Sequence, residues 1–422
     1  MNWLGHLLSR MCLAVSAMII SVPVANAAVS LLSVCSWPVE STGQGILNVA
    51  TQDTNTTYWF MPIDTIHWRS VVIQANYPNA RFFNFATYSA NGLLIDTLFD
   101  ADIVPDPGSS NPFAVTTRNG SQRKRNSYTV MIGASNAGAS NFLSVGANGL
   151  AFLVYRVIVP DQGLDRSGGV GVPAVTLVAD DGSMRRLSPC PFAAAESSLG
   201  NMIPILIASG FTEAAQFLQG ILDAANQQTS SMVNCIASPL GRQVPVPFGP
   251  APGTDFFPNP PTAYLQTPNV CFQPGKIVIV RGKALVYPNT YLGGPVSQPA
   301  FDDQVQVRYW SMCNNDGPFP YPVIACQSDF QTRLDPDQYY TCVISNDPAP
   351  PSWLPVDATW LPWGPTNIPI TLIFRSISFI SGYSPVPSAY QPTAVLCDET
   401  MFVAQGWQAC FLAAGVKVAT AP

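Results

Sequence analysis

Four short apolar blocks occur twice along the chain in the same order, and this recurrence restricts the possible folds most strongly. A glycine also precedes the last block in each half, at Gly146 and at Gly364. One match arises easily by chance, but four in order indicate an internal duplication. The first set is Val71–Ile73, Arg81–Asn84, Tyr128–Ile132 and Leu153–Arg156, and the second is Ile277–Ile279, Arg308–Ser311, Tyr340–Ile344 and Leu372–Arg375.

The repeated blocks have the composition of β-strands. Apolar and polar residues alternate in Tyr128–Ile132, and Asn91-Gly92 separates two apolar runs as in a hairpin. Lys and Glu, which usually build helix surfaces, number only four each in the chain. The sequence therefore predicts a mainly β protein with tandem, duplicated antiparallel β-sandwich domains of jelly-roll-like type and a short helical insertion between them.

The order of these segments predicts five regions. Residues 1–27 are expected to be a signal peptide, 28–192 the first sandwich, and 193–268 a helical segment followed by a proline-rich linker. Residues 269–380 would form the second sandwich and 381–422 a disulfide-containing tail. The inserted helix is expected at Thr212–Gln227, where apolar residues recur at helical spacing. Packing of these residues against a sheet is favoured over contact with a membrane or a partner.

The first residues of the chain indicate export. An apolar run, Met11–Val22, is followed by Val24-Ala25-Asn26-Ala27, which matches a signal-peptidase site. The apolar run is too short for a permanent membrane anchor, which needs about 20 residues, and we expect no transmembrane segment in the mature chain. The sequence thus predicts a periplasmic or secreted protein.

The cysteines support an oxidising compartment. Nine of the ten cysteines remain after removal of Cys12, and disulfide bonds are the default for an exported chain. We predict that Cys313 pairs with Cys326 and Cys397 with Cys410, and that Cys342, inside a strand pattern, is the unpaired residue.

The charge balance argues against nucleic acid as a partner. Without Arg10, 18 of the 19 Lys and Arg residues remain against 25 acidic residues, a net charge near −7. Binding to phosphate backbones needs a basic surface. The expected partner is an extracellular or envelope ligand of unknown identity.

Four arginines lie at equivalent places in the two halves, each beside aromatic residues: Arg81, Arg156, Arg308 and Arg375. They are candidate ligand-binding residues, because guanidinium groups between aromatic walls can capture anions. The alternative is a structural role, in which each arginine stacks on rings or donates to loop carbonyls. A feature repeated in both halves favours the structural role.

A cluster of aspartates after the first hairpin is the candidate metal site. Asp100, Asp102 and Asp106 could bind a structural calcium ion, although the residues do not match an EF-hand loop. They could also supply the acid and base of a glycosidase. The favoured interpretation is that they form turns in a proline-rich loop. No other cofactor is expected.

The sequence contains no convincing catalytic constellation. No G-x-S-x-G motif occurs, and His67 is the one histidine of the mature chain. We expect His67 to be buried or stacked. The favoured function is therefore a non-catalytic exported protein with a ligand-binding, partner-binding or structural role in the envelope. The alternative is a carboxylate-based hydrolase that acts on an extracellular polysaccharide or other polymer.

Six longer stretches of the chain are distinctive: Ala80–Phe85, Asp102–Phe113, Tyr155–Asp161, Arg281–Ala284, Val307–Cys313 and Trp360–Gly364. They resemble an uncharacterised family of exported bacterial proteins. More distantly, each half is similar to the jelly-roll domain of another exported family of unknown function. These resemblances imply a jelly-roll fold and give no catalytic residues.

Overall fold

The structure is a computed structural model that describes most of the chain after the expected signal peptide. The residues of the predicted signal peptide and most of those of the predicted inserted helix lie outside the described part. The described residues are 35–43, 48–114, 126–136, 138–190, 234–251, 257–294, 305–378 and 385–417, together with 212, 215, 216, 219, 220 and 223.

Ten strands of the described residues form the first unit, which we call unit 1. Sheet A has the strand order β1-β2-β8-β4-β5 and sheet B the order β10-β9-β3-β6-β7. The strands are β1 (Val39–Ser41), β2 (Thr56–Asp64), β3 (Ser70–Asn76), β4 (Ala80–Tyr88), β5 (Leu94–Phe99), β6 (Ser127–Gly133), β7 (Phe142–Ser144), β8 (Leu150–Pro160), β9 (Ala174–Val178) and β10 (Met184–Leu187).

Unit 2 consists, in the part of it that the structure describes, of ten further strands and a helix. Sheet C has the order β11-β20-β14-β17-β18 and sheet D the order β12-β13-β19-β15-β16. The elements are β11 (Val244–Val246), β12 (Gly249–Pro250), β13 (Thr262–Gln266), β14 (Lys276–Lys283), β15 (Tyr309–Asp316), β16 (Val323–Ser328), β17 (Tyr339–Ser345), β18 (Ala358–Pro362), β19 (Ile370–Ile377), β20 (Thr393–Asp398) and α1 (Glu399–Ala413).

The two units share one topology, and the fold is mainly β with duplicated sandwich-like units, as the sequence predicts. Each repeated block lies in the same strand of its sheet: β3 and β14, β4 and β15, β6 and β17, or β8 and β19. Both units also contain one parallel pair, β6 with β7 and β17 with β18, in otherwise antiparallel sheets. The shared order of nine strands, β1–β9 and β12–β20, explains why the sequence blocks recur.

The inward-facing apolar residues of the blocks form a core between the two sheets of each unit, whereas Ile277 and Ile279 lie on the outer face of sheet C. In unit 1, Ile73, Phe83, Tyr128 and Tyr155 belong to one buried cluster between sheets A and B. The equivalent cluster of unit 2 lies between sheets C and D. Alternation along each strand directs these side chains to the inner face, because successive residues point to opposite sides of a sheet.

The proline-dense segment 239–268 is not a simple linker. It contributes β11, β12 and β13 to sheets C and D, and β13 pairs with β19 over five residues. The expectation of a linker did not allow for edge strands, which tolerate proline because one side of an edge strand makes no ladder hydrogen bonds. Pro245 and Pro250 occupy such edge strands.

The residues after 381 are also part of unit 2. Strand β20 pairs with β14 and β11, and α1 follows it and packs on the outer face of sheet C. Phe402 and Phe411 of α1 are buried there, and the helix is interrupted at Gly406, whose φ is 78°. In the segment of the predicted inserted helix, the described residues are helical, and Ala215 is buried.

Four disulfides lie within the units. Cys313–Cys326 and Cys397–Cys410 form as predicted, and Cys342 is free and buried. Cys35–Cys190 closes unit 1, and Cys235–Cys271 lies in unit 2. These bonds suggest an oxidising, extracytoplasmic environment. Among the described helices, none has both the length and the apolar character that crossing a membrane requires.

Candidate functional site at the junction of the two units

The duplicated arginines all lie where the two units meet, in a region that we call the junction. The outer faces of sheets A and D contribute to one mixed apolar cluster there, in which Phe82 and Ile158 of unit 1 pack with Tyr309 and Ile377 of unit 2. Strands β4, β15 and β19 are consequently buried on both faces.

Two arginine–aspartate pairs cross the junction in a reciprocal arrangement. Arg81 of unit 1 forms an ion pair with Asp329 of unit 2. Arg308 of unit 2 forms an ion pair with Asp100 of unit 1, with Nη1 and Oδ2 separated by 2.7 Å. Arg81 is the second residue of β4 and Arg308 directly precedes β15, at equivalent places, and the aspartates directly follow β5 and β16. Each unit therefore contributes an arginine from the same position of the fold. This arginine pairs with an aspartate that has the equivalent position in the other unit.

Both pairs are fully enclosed. The side chains of all four residues are 0 % exposed. The Arg308 guanidinium lies against the rings of Phe99 and Phe113, at 5.5 and 5.4 Å from their centroids. Arg81 is similarly placed 4.7 Å from the ring centroid of Tyr287. The ring contacts and ion pairs are all made within the chain, as expected if the duplicated arginines have a structural role.

Burial controls the titration of the two carboxyls. Burial raises the pKa of Asp100 to about 6, even though Arg308 acts in the opposite direction. Burial likewise raises the pKa of Asp329 to about 6 against the effect of Arg81. Removal of a carboxylate from water disfavours its charged form, and here this cost exceeds the attraction of one neighbouring guanidinium.

The second pair of duplicated arginines contacts the chain segments that precede β2 and β13. Arg375 of unit 2 donates from Nη2 to the carbonyl oxygen of Thr51 at 2.8 Å. Arg156 of unit 1 donates from Nη2 to the carbonyl oxygen of Phe257 at 3.2 Å. Thr51 and Phe257 both have positive φ, 52° and 49°. In each segment, the residue that contacts the arginine of the other unit thus has a positive φ.

The side chains two residues after Thr51 and Phe257 have equivalent positions but differ in type. Asp53 accepts hydrogen bonds at Oδ2 from Tyr309 at 2.8 Å and from Ser311 at 2.6 Å, and this oxygen lies 3.5 Å from Nη1 of Arg375. In the corresponding place, Asn259 accepts a hydrogen bond from Asn84 at 2.8 Å. The junction therefore has approximate two-fold symmetry, with a carboxylate on one side and an amide on the other.

The three aspartates of the predicted metal site differ in their exposure. Asp100 is buried in the junction, Asp102 is exposed, and Asp106 is half-buried. Among the described residues, the one group of three His, Cys, Asp or Glu residues with ligand atoms close enough for a metal is Asp53, Cys313 and Cys326. Its two sulfurs form a disulfide, which leaves no thiolate for a metal. Calcium binding by the three aspartates stays a prediction.

His67 is not buried, contrary to expectation. Its side chain is 60 % exposed, and Nδ1 lies 2.6 Å from Oδ2 of the buried Asp64. Asp64 also accepts hydrogen bonds from the backbone N–H groups of Ile66 and His67. The aspartate therefore fixes the turn that exposes the imidazole.

Sequence reasoning found the arginines and missed two of their partners. The recurrence marked Arg81 and Arg308 because both belong to repeated blocks. Asp53 and Asp329 gave no comparable signal. A usable signal exists for Asp329. It directly follows β16, and Asp100 directly follows the equivalent strand β5.

These features define a class of protein: a doubled β-sandwich with a pseudo-symmetric, polar and buried junction. No family model and no curated protein matches the chain. A crystal structure of an uncharacterised protein from Burkholderia cenocepacia is similar to it, with a TM-score of 0.51, 11 % identity, and coverage of 88 % of this chain and 86 % of that one. A protein from Vibrio parahaemolyticus aligns with a TM-score of 0.39 and 12 % identity over 82 % of this chain and 89 % of that one. The first likeness supports the fold alone.

Proposed function

We propose that the chain is an exported, non-catalytic protein that binds a partner or serves a structural role in the cell envelope, with its two sandwich units held together by the junction. The observation that carries this proposal is the use of the duplicated charged groups. Arg81, Arg308, Asp100 and Asp329 bind one another inside the molecule. Groups with no access to solvent cannot contact a substrate.

The remaining candidate groups also favour a non-catalytic role. A glycosidase needs two carboxyls that face one substrate at about 5–10 Å. Asp100 faces Arg308 inside the junction, whereas Asp102 is exposed. His67 has an orienting aspartate, but that aspartate also forms the local turn. This arrangement is typical of an aspartate that stabilises a local turn.

Export is supported by the four disulfides. They close both units and include buried pairs such as Cys397–Cys410. Such bonds persist in oxidising compartments and are rare in a reducing cytosol. The predicted signal peptide gives the same location independently.

The test combines fractionation with an activity assay. A tagged chain expressed in a Gram-negative host should appear in the periplasm or medium without residues 1–27, and the purified chain should sediment with washed envelope fragments in a saturable manner. It should release no reducing ends from envelope polysaccharides.

The alternative hydrolase gives a different result. Release of reducing ends that disappears in Asp102→Asn or Asp106→Asn, with an unchanged melting temperature, would contradict the non-catalytic proposal. Asp100→Asn is less informative in this assay, because the substitution alters the buried pair with Arg308.

A further inference from the structure

One of the four duplicated arginines has no acidic partner in the described part of the chain. Six Lys and Arg side chains are buried there: Arg81, Arg156, Lys276, Arg281, Arg308 and Arg375. Five of them form an ion pair with an aspartate, and the exception is Arg156, which is 3 % exposed. Removal of a cation from water is unfavourable, so a buried cation normally has a paired anion. The missing negative charge beside Arg156 therefore needs an explanation.

The guanidinium of Arg156 also has a nitrogen without a partner. Nη2 donates to the hydroxyl oxygen of Tyr88 at 2.5 Å and to the carbonyl oxygen of Phe257 at 3.2 Å. Nη1 is buried and has no hydrogen-bond acceptor among the described residues. The rings of Tyr58 and Tyr88 lie beside the group, with centroids 5.8 and 5.4 Å from Cζ. These neighbours carry no negative charge that could balance the guanidinium.

The equivalent arginine of unit 2 shows which group is missing. Arg156 and Arg375 have the same place in β8 and β19, each opposite a tyrosine of the neighbouring strand. Nη2 of Arg375 donates to the carbonyl oxygen of Thr51, and its Nη1 lies 3.5 Å from Oδ2 of Asp53. The nitrogen that lacks a partner in Arg156 is thus the one that faces a carboxylate in Arg375.

An amide takes the place of this carboxylate on the side of Arg156. Asn259 has the position of Asp53, and two hydrogen bonds between neutral groups hold its side chain. Its Oδ1 accepts from Nδ2 of Asn84 at 2.8 Å, and its Nδ2 donates to Oγ1 of Thr262 at 2.9 Å. Hydrogen bonds between neutral groups contribute little net free energy, so the amide can turn aside readily.

Asn259 also forms part of the wall of an open recess between the two units. The recess has a volume of about 370 Å³ and a mainly apolar lining. The lining includes Leu94 of unit 1 and Pro250, Pro258, Pro260 and Tyr264 of unit 2. Tyr88 connects this wall to the arginine, because its hydroxyl accepts from Arg156 and donates to the carbonyl oxygen of Pro258 at 2.6 Å. An apolar recess with a few polar groups is typical of a small-molecule site.

We propose that a small organic acid binds in this recess, with its carboxylate at Nη1 of Arg156 and its apolar part between the prolines and the ring of Tyr264. The carboxylate supplies the charge that Asp53 supplies to Arg375, and it enters as the side chain of Asn259 turns aside. Guanidinium groups suit this ligand because they bind carboxylates through directed, charge-assisted hydrogen bonds. The site does not depend on the proposed role in the envelope, which would stand if the test below failed.

The experiment compares melting temperatures of the mature chain in sodium benzoate, benzamide and sodium chloride, each at about 20 mM. Benzamide is the neutral counterpart of benzoate, and sodium chloride controls for ionic strength. We expect benzoate to raise the melting temperature by about 2–4 °C in a saturable manner, because a ligand that binds only the folded chain stabilises it. Benzamide and sodium chloride should have no such effect.

Two variants test whether Arg156 is the binding group. Arg156→Met should abolish the response to benzoate, whereas Arg166→Met, at a side chain that is 64 % exposed, should retain it. Asn259→Asp places a carboxylate where unit 2 has Asp53. This variant should melt about 2–4 °C higher than the wild type without any ligand, and it should no longer respond to benzoate.

The higher melting temperature of Asn259→Asp excludes misfolding as the reason for its lost response. The proposal fails if benzoate has no effect on the wild type, if benzamide or sodium chloride acts as strongly, or if Arg156→Met retains the response. Asp255 lies outside the described residues. A response to benzoate that appears only in Asp255→Asn would assign the balancing charge to the chain itself and would also contradict the proposal.

Discussion

The two units agree closely at one part of the junction and differ at another. Arg81 with Asp329 and Arg308 with Asp100 are equivalent pairs, so this part is the same on both sides. The segments before β2 and β13 differ, because Asp53 faces Arg375 with a carboxylate where Asn259 has an amide. Features that both units keep hold the units together, and features that one unit has alone are available for a specific role.

The symmetry of the junction resembles that of a homodimer. In an isologous interface, if residue i of the first subunit contacts residue j of the second, then residue j of the first contacts residue i of the second. The reciprocal arginine–aspartate pairs follow this pattern. A duplicated chain that keeps such contacts is the expected product of fusion between two subunits of a dimer. The predictions below test whether the two sides still contribute equally.

The largest effect is expected when one arginine of the symmetric pairs is removed. Arg81→Met leaves the carboxylate of Asp329 buried without its partner and should lower the free energy of unfolding by about 3–5 kcal/mol at pH 7.5. Arg308→Met should have the same effect within about 1 kcal/mol, because its environment is equivalent. Urea denaturation followed by tryptophan fluorescence measures both.

The control for this loss is an exposed ion pair. Arg166 binds Glu40 at 2.6 Å with its side chain 64 % exposed, so Arg166→Met should cost less than about 1 kcal/mol. A loss below 1 kcal/mol in Arg81→Met, or clearly unequal losses for the two junction arginines, would show that the symmetric account is wrong.

The next effect concerns pH. Because burial raises the pKa of Asp100 and Asp329 to about 6, the folded chain holds their protons more tightly than the unfolded chain does. Their contribution to stability is therefore complete below about pH 4 and is lost as the pH rises through about 6. The loss is up to about 3 kcal/mol for each carboxyl.

Comparison with a double variant isolates this contribution. The free energy of unfolding of the wild type minus that of Asp100→Asn/Asp329→Asn should fall between pH 4 and pH 7. A difference that stays constant or rises over this range would mean that the guanidinium groups outweigh burial.

A smaller effect is expected at the asymmetric part of the junction. Asp53→Asn makes this side like the Asn259 side and removes the carboxylate that faces Arg375. We expect a loss of about 1–3 kcal/mol, because hydrogen bonds to charged groups are stronger than those to neutral ones. An unchanged denaturation midpoint would indicate that Arg375 is satisfied by the Thr51 carbonyl alone.

The smallest effect is expected in the core of sheet C. Cys342 occupies the place of Val130 in unit 1, and burial raises the pKa of its thiol to about 12. Cys342→Val should therefore change the free energy of unfolding by less than about 1.5 kcal/mol. In the wild type, a thiol reagent should label Cys342 only after denaturation, and rapid labelling of the native chain would contradict its burial.

The sequence predicted the doubled β-sandwich because each repeated block is a core strand. Tyr128 and Tyr340, for example, are 0 % exposed in equivalent strands. Because the position is buried in both units, it requires the same type of residue in both. Two disulfides and the unpaired Cys342 were also predicted. Neighbouring strands bring Cys313 and Cys326 opposite each other, which sequence spacing alone suggests.

The contacts between the units could not be predicted from the sequence. Asp329 and Asp53 lie in turns, where aspartate is common for local reasons, so neither residue has a pattern that indicates a distant arginine. The segment 239–268 was misassigned because its prolines favour a linker, whereas the structure places some of them in edge strands. Local composition does not reveal which strands pair.

The most direct test of the junction is cleavage of the chain between the units. The disulfides join Cys35 with Cys190 in unit 1 and three pairs of cysteines within unit 2, so none of the four crosses the junction. A protease site introduced after Gln228 would separate the two units covalently after folding. The account predicts that the cleaved chain elutes as one species of unchanged size in native, non-reducing buffer and separates into two fragments only in denaturant. Two separate fragments in native buffer would contradict it.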